Sequence, residues 1–231
     1  MLRRRPSLIL FDLDGTLVDS APDLAAAIDR MLAALGRPAA GEAKVRGWIG
    51  HGMPMLVRRA LSGEMWPKAD PPDFQQGLTL YMGFYGEAMA EQTRLYSGVI
   101  ECLEEIRAME IPMACVTNKH SRFTRALIEK MGVLEYFVVL ASGDEFKSPK
   151  PDPAPLLSVA ARLGVDPLTA LMVGDSSADA KAAKAAGMML AMVSYGYHGD
   201  TPVETFEPDL LIDSLEMLPR YVKAATDSPS S

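Results

Sequence analysis

Apolar residues in this chain fall into two alternating patterns: short unbroken runs, and longer stretches in which they recur at gaps of three and four. The first run, residues 7–13, is continuous, which predicts a strand buried on both faces. Runs of the same kind recur at 112–116, 137–141, 170–173, 189–193 and 210–212. Between them the spacing is helical. Val99, Leu103 and Ile106 follow Ser97, a predicted N-cap, while Phe123, Leu127 and Met131 follow Ser121 and stop at Gly132. Asp152 and Pro153 open a helix through Leu156, Ala160 and Leu163 that Gly164 closes, with proline near its start and glycine past its end. Strands alternating with helices build βαβ units, so the expected fold class is α/β, an open parallel sheet covered on both faces.

The regularity fails between residues 20 and 95, where the patterns are helical and no buried strand stands out. Leu24, Ile28, Met31 and Leu35 keep helical spacing up to Gly36, residues 53–61 are amphipathic, and residues 74–90 carry Leu78, Tyr81, Met82 and Tyr85. The expected organisation is an α/β core from residues 1–19 and 95–231, with residues 20–94 inserted after the first strand as an α-helical subdomain. Residues 48–52 interrupt the insert, residues 67–72 read as a loop, and the small polar tail 225–231 is expected to fray.

Composition narrows the function classes. The 231 residues are 48% apolar and 23% charged, an ordinary globular balance. A net charge of −7 argues against a general nucleic-acid surface or an anionic-membrane surface. The two cysteines, Cys102 and Cys115, make neither a disulfide framework nor a zinc spacing and sit in apolar stretches, so they read as core residues. His51, His120 and His198 are scattered and form no metal motif. The basic start, Met1 to Arg5, looks like the head of a signal peptide, but the apolar run after it ends at Asp12, and nothing approaches the roughly 18 residues of a membrane span. A cytoplasmic location is the expectation.

Candidate chemistry lies at the ends of the apolar runs. The first strand ends in Phe11-Asp12-Leu13-Asp14-Gly15-Thr16. Ligands of open α/β sheets bind at the carboxyl ends of strands, so Asp12 and Asp14 stand where a site is expected. Two such carboxylates repel, and either a divalent cation or a shared proton would relieve them; alternatively they are turn formers. Later strands end in Val116-Thr117-Asn118, in Ser148-Pro149-Lys150-Pro151, whose prolines predict an extended segment around the lysine, and in Gly174-Asp175-Ser176-Ser177-Ala178-Asp179. Brought to one end of a sheet, these give four carboxylates, an ammonium and a hydroxyl. That set suits a phosphoryl group with a hard cation.

With these residues in view, the chain resembles the haloacid dehalogenase-like hydrolases, whose phosphatases carry DxDGT, then Thr or Ser, then Lys, then GDxxxD. Within them it looks like the phosphoglycolate phosphatase-like branch, on FDLDGTLVDSAPD (11–23), WIGHG (48–52), VTNK (116–119), KPDPAP (150–155) and AAKAAG (182–187). The resemblance covers nearly the whole chain and implies a Rossmannoid core with an inserted helical cap. It departs at Ser97, where proline is expected, at His51, where asparagine is common, and at Ser177-Ala178, where Arg-Asn is common. These departures bear on substrate identity more than on reaction class.

Carried over by position, the resemblance implies that Asp12 attacks phosphorus to form an aspartyl-phosphate and that Asp14 is the general acid and base. It implies that Thr117, Asn118 and Lys150 bind the substrate. Magnesium would be held by the Asp12 carboxylate, the Asp14 backbone carbonyl and Asp175, with Asp179 ligating through water or orienting the others. The Gly50-His51-Gly52 turn reads either as a loop that meets the core and senses the leaving group or as a plain interhelical turn. A substrate carboxylate would want a cation, for which His51, Arg46, Arg58 and Arg59 are candidates; Gly50, His51, Gly52 and Arg58 are the expected substrate-binding residues of the insert. The expected partner is a small phosphorylated metabolite, 2-phosphoglycolate first, with no nucleic acid and no membrane. A phosphatase for a sugar or sugar-acid phosphate, or a phosphosugar mutase, is the alternative within the fold. A phosphoacceptor signalling module is the alternative outside it, disfavoured by Asp14 beside Asp12.

Overall fold

A computed structural model describes residues 2–199 and 201–225; most of the tail expected to fray, 226–231, lies outside the described residues. Six parallel strands form the main sheet in the order β5-β4-β1-β6-β7-β8: β1 Leu8–Phe11, β4 Met113–Thr117, β5 Val139–Ser142, β6 Ala170–Gly174, β7 Met189–Val193 and β8 Leu210–Ile212. All six apolar runs are strands. Their continuity has a simple cause in the alternation of the pleat. Ile9 and Phe11 enter one core with Met113 and Cys115, while Leu8 and Leu10 enter a second with Ala114 and Val116. Helices α7 (Ala154–Arg162) and α8 (Ser177–Ala186) cover the second core, through Leu156, Val159, Ala160, Ala180 and Ala183. Helices α5 (Val99–Ala108), α6 (Ser121–Lys130) and α9 (Leu218–Ala224) cover the first. Cys102 and Cys115 are free and buried, and burial pushes both thiols up.

The strand order reverses at β1, with β4 on one side and β6 on the other. That is the topological switch point at which such sheets bind ligands. Immediately after β1, the pair β2 (Val18–Asp19) and β3 (Arg94–Leu95) forms an antiparallel ribbon, Val18 opposite Leu95 and Asp19 opposite Arg94. The chain therefore leaves and re-enters the core at one place. Between the two strands lie α1 (Ala21–Ala34), α2 (Glu42–Arg46), α3 (Gly52–Ser62) and α4 (Phe74–Ala88). Asp23 ties the two ends of this excursion together by accepting from Gln92 N, Thr93 N and Thr93 Oγ1. Tyr197, from the loop after β7, donates to Asp19 Oδ1 and accepts from the amides of Ser20 and Ala21, which fixes the ribbon to the core.

Two local expectations, the Ser97 cap and the extended segment around Lys150, need correction. Ser97 does not cap α5; Gly98 does, in a left-handed conformation (φ 81°) beside Ser214 and Glu216 that a side chain would strain. At α6 the cap is His120, whose Nδ1 accepts from Arg122 N, while the amide and hydroxyl of Ser121 are both taken by Asp144. The segment around Lys150 is not extended: Asp152 N bonds to Pro149 O and closes a turn containing a cis Lys150–Pro151 bond. The turn directs the lysine inward.

Candidate active site

At the carboxyl end of the sheet, Asp12 is 6% exposed, Asp175 1%, Asp179 0% and Lys150 2%. Lys150 comes from the turn after β5, Asp175 from the end of β6 and Asp179 from the first turn of α8. The Lys150 ammonium donates to Val116 O (2.6 Å) and Asp179 Oδ1 (2.7 Å) and lies 2.9 Å from Asp12 Oδ1. Asp179 Oδ2 accepts from Ser176 N (3.0 Å) and Ser176 Oγ (2.6 Å), a capping box at the start of α8. Both Asp179 oxygens are thus engaged within the protein, which fits orientation of its neighbours better than direct ligation. Asp175 accepts from Thr16 Oγ1 (2.8 Å) and Tyr197 N (2.6 Å). Gly15 (φ 92°) passes so close to the Asp175 carboxyl that a Cβ there would overlap it. Glycine in the first motif is required by that approach as well as by the turn.

Electrostatically the cluster is overcharged. Asp12, Asp175 and Asp179 place oxygens within 4.8 Å of one another against a single ammonium. Burial, opposed by Lys150 and reinforced by Asp179, pushes Asp12 up to about 7. Burial and then repulsion from Asp179 and Asp12 raise Asp175 well above the usual carboxylate range. Lys150 is also raised: burial alone would lower it, but the Asp12 and Asp179 charges outweigh that. An all-oxygen, net-negative pocket of three buried carboxylates against one ammonium fits a hard divalent cation. A stability test follows. In the unfolded chain Asp12 titrates near the ordinary value of 3.8 and in the folded chain near 7, so the folded state holds the proton more tightly. Stability from this group is full below the lower value and is lost as pH rises through the upper one. Chelated protein should therefore melt at falling temperature between pH 4 and 8. Magnesium should raise the melting point more at pH 8 than at pH 5, read by thermal denaturation; an equal rise at both would contradict the charge argument.

Asp14 faces a different space. Ser20 Oγ donates to its Oδ1 (2.6 Å), and the Lys119 ammonium donates to both its oxygens (3.0 and 3.1 Å). Asp14 and Lys119, together with Asp12, Thr117 and Asn118, line a cavity of about 50 Å³ whose other walls include Leu24, Ile49, Met53, Leu56, Tyr81, Tyr85, Phe123 and His120. Thr117 Oγ1 accepts from Lys119 N, and Asn118 Nδ2 donates to Lys150 O (2.8 Å) and Gly50 O (3.1 Å). Asn118 therefore clasps the helical insert to the core. The Gly50-His51-Gly52 loop packs on the core: a Cβ on Gly50 would touch Ser176, and one on Gly52 would crowd Asn118 O.

The anticipated cations fall outside this cavity. Arg46 pairs with Asp19 and Glu42. Arg59 is buried, donating to Met65 O and Trp48 O, and ties together the segments on either side of α3. Arg58 pairs with Asp70 at 2.6 Å and lines, with His51, Met55 and Pro149, a neighbouring cavity that shares Gly52, Met53, Asn118 and His120 with the first. Burial, then the Arg59 charge, lowers His51 to about 4, so it is neutral near pH 7. The lysine that lines the cavity is Lys119, which the sequence reading passed over. The available signal was its place in Val116-Thr117-Asn118-Lys119, directly at a strand end.

Comparison with known proteins places this architecture. The phosphoglycolate phosphatase of Nitrosococcus oceani is 41% identical over 212 residues, covering 92% of this chain and 94% of that one. The phosphoglycolate phosphatase of Pseudomonas putida is 46% identical over 224 residues, 96% of this chain and 82% of its own. Among solved structures, a crystal structure described as a predicted phosphoglycolate phosphatase from Haemophilus somnus superposes with a TM-score of 0.87 at 32% identity, covering 96% of this chain and 99% of that one. Residues 9–193, from the strand that carries Asp12 to the end of β7, match the haloacid dehalogenase-like hydrolase family, and the chain belongs to it.

Proposed function

We propose that the protein is a magnesium-dependent phosphomonoester hydrolase acting through an aspartyl-phosphate on a small acid phosphate, 2-phosphoglycolate first. The observation that carries this reading is the pairing of Asp12, 2.9 Å from the Lys150 ammonium, with Asp14, two residues on and facing a small cavity. An Asp12 oxygen attacks phosphorus as the ester P–O bond breaks. Asp14 delivers a proton to the departing alkoxide and then takes one from the water that attacks the acyl-phosphate, so phosphate leaves and Asp12 is regenerated. Thr117 and Lys150 hold phosphoryl oxygens, with Lys150 also offsetting the charge on Asp12. Asp12, the Asp14 carbonyl and Asp175 would hold the metal, with Asp179 positioning Lys150 and Asp175. A bound magnesium ion would supply further neutralisation of the phosphoryl charge.

Residues 20–94 form a cap in this reading, hinged at the β2–β3 ribbon and latched by Asn118 to Gly50. The cavity beside Asp12 and Asp14, about 50 Å³, lies between the core and the cap residues Leu24, Ile49, Met53 and Leu56. Two buried free thiols accord with a reducing, cytoplasmic setting.

The test is phosphate release across a panel of small phosphate esters, with magnesium and with chelator. Magnesium-dependent preference for 2-phosphoglycolate is the expected result. Equal activity with chelator would remove the metal, a preference for sugar phosphates would replace the substrate, and no release from any ester by folded protein would overturn the reading.

A further inference from the structure

Lys119 is the one lysine or arginine among the described residues lining the cavity beside Asp12 and Asp14. It is 7% exposed, and its ammonium lies 4.8 Å from the centre of the Tyr85 ring. Its backbone is pinned on both sides, the amide donating to Thr117 Oγ1 and the carbonyl accepting from Gly143 N (3.0 Å). The side chain is therefore presented to the cavity from a fixed base. Both hydrogen bonds of the ammonium go to the single carboxylate of Asp14. An ammonium carries three N–H donors, so one can serve a ligand without breaking the pair.

We propose that Lys119 recognises the carboxylate of the substrate's leaving group and so selects acid phosphates over neutral ones; this rests on the phosphatase reading above. The placement follows from the chemistry assigned to Asp14. If Asp14 meets the ester oxygen, a cation 3.0 Å from Asp14 lies within reach of a carboxylate one carbon beyond that oxygen. Walls of Leu24, Ile49, Met53, Leu56 and Phe123 keep water from the pair, and a charge contact strengthens as the local dielectric falls. A neutral group in the same place would leave the cation no second partner. No arginine lines this cavity among the described residues, and Arg46, Arg58 and Arg59 are each held by groups of their own.

The experiment compares 2-phosphoglycolate with 2-hydroxyethyl phosphate, which replaces the carboxylate by a neutral alcohol of similar size, in wild type, Lys119→Met and Lys119→Arg. The expected result is that Lys119→Met lowers kcat/KM for 2-phosphoglycolate by about 100-fold more than for 2-hydroxyethyl phosphate, as removal of a partner from a desolvated charge pair does. Lys119→Arg should recover part of the discrimination. Equal losses with both esters would mean that Lys119 serves only Asp14, and no loss with either would mean that it touches neither; each overturns the proposal. Calorimetric binding of the unreactive analogue 3-phosphonopropionate against neutral propylphosphonate separates this from the hydrolase reading. If the wild type hydrolyses no ester, the function proposed above falls, yet a binding preference for the acid that vanishes in Lys119→Met still upholds Lys119 as the carboxylate site. Equal binding of the two phosphonates by wild type overturns it.

Discussion

Asp12→Asn is expected to abolish turnover, lowering kcat by about 10⁴-fold or more, while leaving the protein folded. The substitution keeps the size and planarity of the side chain but removes the carboxylate that lies 2.9 Å from Lys150 and lines the cavity. Its effect on stability should be opposite in sign to its effect on activity. Asp12 resists ionisation because it is buried beside Asp179, and the neutral amide escapes that cost at every pH. Lys150 keeps its bonds to Asp179 and Val116 O. Chelated Asp12→Asn protein should therefore melt at or above the wild-type temperature at pH 8, and its melting point should fall less steeply between pH 4 and 8. Inactivity with a lowered melting point would be unfolding rather than lost chemistry. Full activity would remove Asp12 from the nucleophile role.

Much of this site was legible because its parts sit where one short-range rule puts them, at the ends of strands that are themselves unmistakable apolar runs. Asp12, Thr117 and Asp175 each follow such a run within a residue or two, and the switch point at β1 brings those ends together. The helical spacing in residues 20–95 was equally readable, since α1, α3 and α4 each bury one face. What escaped notice depends on pairings distant in sequence. The β2–β3 ribbon is two residues on each side, too short for any period, and it joins Asp19 to Arg94. Arg46, Arg58 and Arg59 looked available because their partners Asp19, Asp70 and the Trp48 carbonyl are set by the folded cap, not by helical spacing. Lys119 was missed for the converse reason. A lysine next to a turn reads as solvated, and only the fold of α4 over the sheet end encloses it beneath Tyr81 and Tyr85.

Lys150→Met is expected to damage both activity and stability, and the pH dependence of the second effect separates it from simple loss of packing. Removing the ammonium takes away the contact with the phosphoryl group and with Asp12, which should lower kcat/KM by about 10²–10³-fold, the scale of a positioned charge at a reacting centre. It also strands three buried carboxylates around an apolar side chain. Loss of one partner from a buried ion pair costs about 3–5 kcal/mol where the remaining charge must stay ionised. Here Asp12 already sits near 7 and Asp175 well above its ordinary range, so both accept protons as pH falls. The variant should be close to wild type in melting temperature at pH 5 and far below it at pH 8, with magnesium restoring part of the difference. A deficit equal at both pH values would identify lost packing, because methionine and lysine stems fill the same channel whatever the protonation of their neighbours. Unchanged kcat/KM would move the phosphoryl clamp elsewhere. Lys147 is the other lysine of that loop, but it is exposed while Lys150 is buried, which is why the loss is expected at the residue that the turn at Pro149–Asp152 points inward.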